Sequence, residues 1–304
     1  MSKEDDLENK LKNLEVEMEE YKSTEEYTAI KKLEKMGIQP SEVINLAKTL
    51  EKSKPIENVH YKIGKSKVKY VAFGDTHIGN KNYKPHIMTH IGKLAKKDDI
   101  DFVACTGDIL DGWYQNRPQS LFEQNAIGLD QQLNMATKEL SKLPKDKPVF
   151  FITGNHTYNT YMRGAGIEVG PKIVDMMKNK GFDNFHYLGN GEGDIILNNG
   201  STIKMLHPDG GTAYAISYRS QKIAESLTGG EKPEVLLIGH FHKAEYIFYR
   251  NIHIFQTGTL EGQTKFMRGK HIPAHTGFWV IEMLGKHKNR QIDAVKPMFI
   301  PKYD

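Results

Sequence analysis

Only one cysteine, Cys105, occurs in 304 residues, and it lies inside the apolar run Asp101 to Cys105. A lone thiol cannot close an internal disulfide, and one set within a strand reads as a buried structural group rather than a redox centre. Long apolar runs are missing as well: no stretch approaches the roughly 20 residues that cross a bilayer. The opening Met1-Ser2-Lys3-Glu4-Asp5-Asp6 has no apolar core of the kind a secretion signal carries. The expectation is a soluble, cytoplasmic chain without a membrane partner. Internal repeats and low-complexity tracts are absent too. What is present is a chain that is 38% hydrophobic and 34.6 kDa, enough for one large core with a smaller appendage.

The formal charge of +4 is unevenly spread. Residues 1–26 hold ten acids against four lysines, which leaves +10 on residues 27–304. A basic body tolerates a polyanion such as DNA or RNA, although an ordinary lysine-rich surface gives the same count.

Residues 1–65 read as a helical N-terminal segment with a linker, and 66–304 as the main domain. Leu7, Leu11, Leu14, Met18 and Tyr21 follow helical spacing, but over too few heptads for a coiled coil. Ser23 with Glu26 forms a capping box for a second helix that Gly37 closes. Pro40-Ser41 opens a third, with Val43, Ile44, Ala47 and Leu50 on one face. The pair is helix-turn-helix-like, and a structural or self-associating role is preferred to DNA reading because any helical hairpin gives this pattern. Glu51 to Ser66, with Pro55 and Gly64, reads as the linker.

From Lys67 onward the pattern becomes strand, loop, helix. Strands are expected at 67–73, 100–105, 148–153, 194–198, 202–206, 234–238, 245–249, 252–256 and 277–283. Helices are expected near 84–97, 128–142, 171–180 and 213–227. The early βαβ order implies parallel strands and the later close-set strands an antiparallel continuation, hence an α/β fold.

Polar residues recur at strand exits. Val68 to Phe73 leads to Asp75-Thr76-His77, whose residues i and i+2 share a side on an extended backbone. Phe102 to Cys105 leads to Gly107-Asp108-Ile109-Leu110-Asp111, and Val149 to Thr153 leads to Gly154-Asn155-His156. Ile203 to Leu206 leads to His207, and Val235 to Ile238 leads to Gly239-His240-Phe241-His242. Each piece alone is a common turn or a structural histidine. Five of them, each leaving an apolar strand, are expected to converge on one crevice at the carboxyl edge of the sheet.

This ordered set, D-x-H, G-D-x-x-D, G-N-H, H and G-H-x-H, resembles the calcineurin-like metallophosphoesterase family over about residues 67–262. The resemblance implies two mixed β-sheets sandwiched between helices, a four-layer arrangement, with a water or hydroxide bridging two metal ions. It implies that Asp75, His77, Asp108 and His242 bind one ion, and that Asp108, Asn155, His207 and His240 bind the other. It also implies that His156 faces the leaving group, oriented by the carboxylate of Asp111.

Elementary chemistry is consistent with that picture. A carboxylate has two oxygens, so Asp108 can bridge, and two divalent ions about 3.5 to 4 Å apart can direct a nucleophile at a phosphoryl group. The mixed imidazole, amide and carboxylate donors suit Mn²⁺, Fe, Zn²⁺ or Ni²⁺ better than Mg²⁺ or Ca²⁺ and do not choose among them; Mn²⁺ is the first expectation. Two departures from the family pattern bear on substrate. Thr157 stands where an acid often follows G-N-H, and Gly112 stands where protein phosphatases of the superfamily carry a phosphate-gripping Arg.

Loops rich in aromatics and Arg, Trp113 to Arg117 and Tyr158 to Arg163, are expected to rim the site, as in grooves for single strands. Tyr218, Arg219 and Lys222, and then Lys265, Arg268 and Lys270, add positive charge. The preferred reading is a nuclease-like phosphodiesterase acting on nucleic acid, resembling the repair-nuclease branch. The alternatives are a phosphomonoesterase or small-nucleotide phosphodiesterase, and a non-catalytic binding subunit like those of some polymerases.

Overall fold

Strands buried on both faces read as unbroken apolar runs, and Phe102–Cys105, Val149–Thr153 and Val235–Ile238 are buried at every position. The structure is a computed structural model that describes residues 31, 59–61, 67–114, 118–211, 213, 215–228, 230, 232–285 and 292–303. Its strands run in chain order as β1 (Val59–Tyr61), β2 (Lys67–Phe73), β3 (Phe102–Cys105), β4 (Val149–Thr153), β5 (Phe185–Asn190), β6 (Glu192–Leu197), β7 (Thr202–Leu206), β8 (Val235–Ile238), β9 (Ala244–Tyr249), β10 (Ile252–Thr257), β11 (Gly277–Gly285) and β12 (Ile292–Pro301).

They form two six-stranded sheets. The first has the order β12-β11-β2-β3-β4-β5, parallel from β2 to β5 and antiparallel at β11 and β12. The second has the order β1-β6-β7-β8-β10-β9, with β7, β8 and β10 parallel to one another.

Alternation along β2 shows how the layers arise. Tyr70 and Ala72 point into the apolar cluster shared with Ile195, Ile203, Leu237 and Phe255 of the second sheet. Val71 and Phe73 point the other way, into a cluster with helices α1 (Pro85–Ala95), α2 (Leu129–Leu140) and α3 (Val169–Asn179). Helix α4 (Tyr218–Ser226) contributes Ala224 to a third cluster, on the outer face of the second sheet. The layers are therefore helices, sheet, sheet, helix, the fold class expected from the sequence. Between the sheets, the Tyr70 and Phe102 rings stack at 4.6 Å and Phe150 meets Phe102 edge-on at 5.6 Å.

Three strands lie outside the sequence expectation. β1 falls within the stretch read as linker, yet its backbone pairs in parallel with β6. β5, Phe-His-Tyr-Leu-Gly-Asn, is too polar and too close to a glycine to announce itself, and β12 carries Pro297 and Pro301, which an edge strand tolerates. Helix α4 begins at Tyr218, five residues after the expected start. Apart from Lys31, which is helical, the three N-terminal helices expected between residues 1 and 50 lie outside the described residues.

Gly92 tests the packing of α1 on the segment after α2. A Cβ there would lie 2.4 Å from the carbonyl oxygen of Lys142, which is backbone and cannot swing away. At an exposed helix position, replacing Gly by Ala gains about 1 kcal/mol. Here Gly92→Ala is expected to destabilise by about 1–3 kcal/mol, the usual range for overpacking, read as a lowered denaturant midpoint at unchanged slope.

Candidate metal centre

The five strand exits meet at one place. β2 delivers Asp75 and His77, β3 delivers Asp108 and Asp111, β4 delivers Asn155 and His156, β7 delivers His207, and β8 delivers His240 and His242. The first sheet thus supplies the acids and Asn155, and the second sheet supplies three of the imidazoles.

The backbone reaches this arrangement by an unusual route. Asp75 and His77 were expected on extended chain, but β2 ends at Phe73 and both residues take left-handed φ, +49° and +48°. The loop instead runs beside the exit of β3. Asp75 N–H donates to the Gly107 carbonyl (3.0 Å), His77 N–H to Asp108 (3.0 Å) and Ile78 N–H to Ile109 (2.8 Å). Asp108, His240 and His242 are left-handed too, so five of the eight non-glycine residues with positive φ among those described carry the motif side chains. Such backbone costs about 1–3 kcal/mol per residue and concentrates at functional sites.

Close approach explains the motif glycines. A Cβ on Gly154 would lie 2.3 Å from Asp108 Oδ1 and 2.7 Å from His207 Nε2, and one on Gly107 would lie 2.7 Å from His207 Nδ1.

Asp75, His77 and His242 form one group whose donor atoms lie within 4.8 Å of each other, and Asp108, His207 and His240 form a second. In the first, His77 Nε2 and His242 Nε2 face each other at 3.0 Å, and His242 Nε2 is 3.8 Å from Asp75 Oδ1. In the second, His207 Nε2 is 3.0 Å from Asp108 Oδ2, and Asn155 Oδ1 lies 3.0 Å from His207 Nε2 and 2.8 Å from His240 Nδ1. The other ring nitrogens are fixed from behind: His207 Nδ1 donates to the Thr106 carbonyl (2.8 Å) and His240 Nε2 to the Gly210 carbonyl (2.5 Å).

A third group, His77, Asp111 and His156, adjoins these two. His156 Nδ1 donates to the backbone carbonyl of Asp111 at 2.6 Å, while the Asp111 carboxylate is 3.8 Å from His156 Nδ1 and nearer, at 3.3 Å, to His77 Nδ1. Asp111 therefore meets His156 through its main chain, and its carboxylate lies nearest His77, with Asn80 and Gln124 donating to the far oxygen.

Burial sets the charge state. It pushes Asp75 up to about 7, although His207 and His77 pull the other way. Burial also disfavours the Asp108 charge, but His207 and then His156 outweigh it and hold that carboxyl well below the usual range. His207 is raised to about 9, because Asp108 more than offsets the burial of the ring. Burial, reinforced by His77 and His156, holds His242 neutral.

A family profile described as calcineurin-like phosphoesterase matches residues 68–244. The chain belongs to the calcineurin-like phosphoesterase family. Among curated proteins it is similar to the DNA polymerase II small subunit of Methanothermobacter thermautotrophicus, 22% identical over 240 residues, or 65% of this chain and 48% of that protein. The chain thus spans about half the length of that relative. Among solved structures, a novel archaeal phosphodiesterase aligns at TM-score 0.41 and 11% identity, covering 77% of this chain and 100% of the other. Zinc-bound Vps29 of Entamoeba histolytica aligns at TM-score 0.38 and 14% identity, covering 77% and 99%.

The family depends on two metal ions, and the donors present fit such a pair. Asp75 and Asp108 are fully buried, yet among the described residues no Lys or Arg pairs with either. Asp75 takes hydrogen bonds at both oxygens from the His240 N–H, and Asp108 takes one from the His156 N–H. Buried carboxylates facing imidazole nitrogens match the donor chemistry of a metal site.

Several residues around this phosphoesterase site escaped the sequence reading. Glu261, buried in the β10–β11 loop, stands 3.9 Å from His242 Nδ1. Gln132, fully buried on α2, accepts from Gly112 N–H and donates to Gly112 O. A glutamine on an apolar helix face was the one signal available for it. Of the expected rim, Tyr114 meets the His156 ring edge-on at 5.2 Å and its hydroxyl is 3.4 Å from Asn155 Nδ2. Tyr158 is 43% exposed, whereas Tyr161 is buried and packs instead. Arg219 braces the Asp209 carbonyl, Lys222 pairs with Glu225, and Gln115 to Arg117 lie outside the described residues.

Loading with Mn²⁺ is expected to stabilise the chain by about 2.7 kcal/mol when the ion is at a hundred times its dissociation constant, read as a rise in melting temperature. Asp108→Asn, which removes the carboxylate of the second group, is expected to abolish most of that rise and also to lower the metal-free melting temperature, because the folded state loses the charge that faces His207.

Proposed function

We propose that this chain is a metal-dependent phosphodiesterase acting on nucleic acid. The observation that carries the reading is the pair of donor groups, Asp75-His77-His242 and Asp108-His207-His240, with Asn155 Oδ1 facing both imidazoles of the second. Mn²⁺ is the first choice of ion, with Fe, Zn²⁺ or Ni²⁺ as alternatives. Two such ions would supply Lewis-acid charge to the phosphoryl oxygens and lower the pKa of a bound water.

The chain's own side chains do the rest. The Asp111 carbonyl accepts from His156 Nδ1, which leaves Nε2 as the ring atom able to exchange a proton with the leaving oxygen. Tyr114 holds that ring edge-on, and Tyr158 offers an exposed face for a base to stack on. The net +10 of residues 27–304 and the likeness to a DNA polymerase subunit support a nucleic acid over a small ester.

A second reading is a non-catalytic subunit of a larger assembly, and the likeness to a DNA polymerase small subunit supports the subunit part of it. Turnover separates the two. With Mn²⁺, hydrolysis of bis(4-nitrophenyl) phosphate is expected to exceed that of 4-nitrophenyl phosphate at least tenfold, with cleavage of single-stranded DNA. Faster monoester turnover without nucleic-acid cleavage would support the phosphomonoesterase alternative, and bound metal without any turnover would support the subunit.

His156→Ala is expected to lower diester turnover by about 10²–10⁴, the range for a positioned acid or base, while elemental analysis finds the native metal content. Full activity in that variant would remove the role given to the imidazole.

A further inference from the structure

The peptide unit between Asp111 and Gly112 is gripped at both ends. Its carbonyl accepts from His156 Nδ1 at 2.6 Å, and its N–H donates to Gln132 Oε1 at 2.9 Å. The Asp111 carboxylate, 3.8 Å from the same ring nitrogen, stands beyond hydrogen-bond distance and nearer to His77. His156 is thus oriented by a main-chain carbonyl, and the amide on the other side of that peptide is held by a glutamine of α2.

Gln132 is fully buried, and its side-chain amide uses both donors and both acceptor sites. Oε1 accepts from Gly112 N–H and from the Tyr161 hydroxyl (3.3 Å), while Nε2 donates to the carbonyls of Gly112 (3.0 Å) and Ala126 (3.1 Å). These partners identify the oxygen, because a flipped amide would set its NH₂ against the Gly112 N–H. Room for the side chain comes from Gly79, at φ +114°, where a Cβ would lie 2.9 Å from Gln132 Cγ. Leu133 and Ala136 of the same helix belong to the apolar core, and a methionine at 132 would pack there without the desolvation cost of an amide. What the glutamine adds is polar, and two of its four bonds go to Gly112.

We infer that Gln132 is a positioning residue for His156, acting through the 111–112 peptide to hold the ring with its proton on Nδ1 and with Nε2 free to serve the leaving oxygen. A peptide whose N–H is engaged is a stronger acceptor at its carbonyl. Gln132 therefore favours the Nδ1–H tautomer as well as fixing the angle of the ring. The service to the leaving oxygen rests on the phosphodiesterase reading, whereas the control of the tautomer does not.

The test is long-range ¹H–¹⁵N correlation spectra of the full chain carrying ¹⁵N-histidine, in EDTA at about pH 8, where an imidazole is neutral. His156 is assigned by its loss in His156→Gln. The native ring is expected to show the Nδ1–H pattern, and an Nε2–H pattern would overturn the inference on the native chain alone. Gln132→Met removes the acceptor for Gly112 N–H, whereas Gln132→Glu keeps one, because a carboxyl buried at this position stays protonated and its carbonyl oxygen faces the same N–H. The Met variant is expected to mix the two tautomers and, with Mn²⁺, to lower kcat on bis(4-nitrophenyl) phosphate about tenfold, with KM and metal content near native. The Glu variant is expected to keep the native tautomer and about a third or more of native kcat. A native tautomer in the Met variant, or equal losses in the Met and Glu variants, would overturn the inference and leave Gln132 a packing residue. A tautomer that depends on Gln132 in a chain that hydrolyses no diester would uphold the positioning and sink the phosphodiesterase reading instead.

Discussion

Two carboxylates taken out of water, with no lysine or arginine beside them among the described residues, constrain the centre of this molecule. An ionised acid in such a place is expensive unless compensated. The compensation comes from main-chain N–H groups, which reach Asp75 and Asp108 from His240 and His156, and from the imidazoles that face them. Bringing those N–H groups in demands sharp loops, and the sharp loops are where the left-handed residues lie. The strain at Asp75, His77, Asp108, His240 and His242 and the burial of the two acids are thus one phenomenon seen from two sides.

The fold meets that demand by bringing the carboxyl edges of two sheets together. Thr106 sits at the junction. Its carbonyl accepts from His207 of the second sheet, and its hydroxyl pairs with Thr257 at 2.7 Å, at the end of β10. A Cβ on Gly74 would fall 2.1 Å from that hydroxyl, and one on Gly239 would fall 2.6 Å from that carbonyl. The spacing between the donor groups is therefore set by how closely the sheets pack. The aromatic contacts of Tyr70, Phe102 and Phe150 far inside the sandwich help to fix that packing.

What could be read from sequence followed from periodicity and punctuation. β2 and β7 have the expected limits, and each motif residue announced itself by following an apolar run. The supporting residues had no such marker. Asn80, Gln124 and Glu261 lie in irregular loops, where polar residues are ordinary, and only three-dimensional closure shows that the first two donate to Asp111 and that Glu261 stands near His242. The Asp-x-His geometry was anticipated for the wrong local reason, since extended and alternating left-handed chain can both turn two side chains to one side. β5 and β12 hid because an irregular polar strand and a proline-bearing edge strand look like loop.

The missing arginine after Asp111 has a structural cause. Gly112 has φ of +70°, and a Cβ there would lie 2.6 Å from Thr160 Oγ1 and 2.9 Å from the His156 carbonyl. Its own carbonyl is taken by Gln124 and Gln132. No side chain can grow from this position without moving the turn that holds His156, so a phosphate-gripping cation cannot be supplied from here.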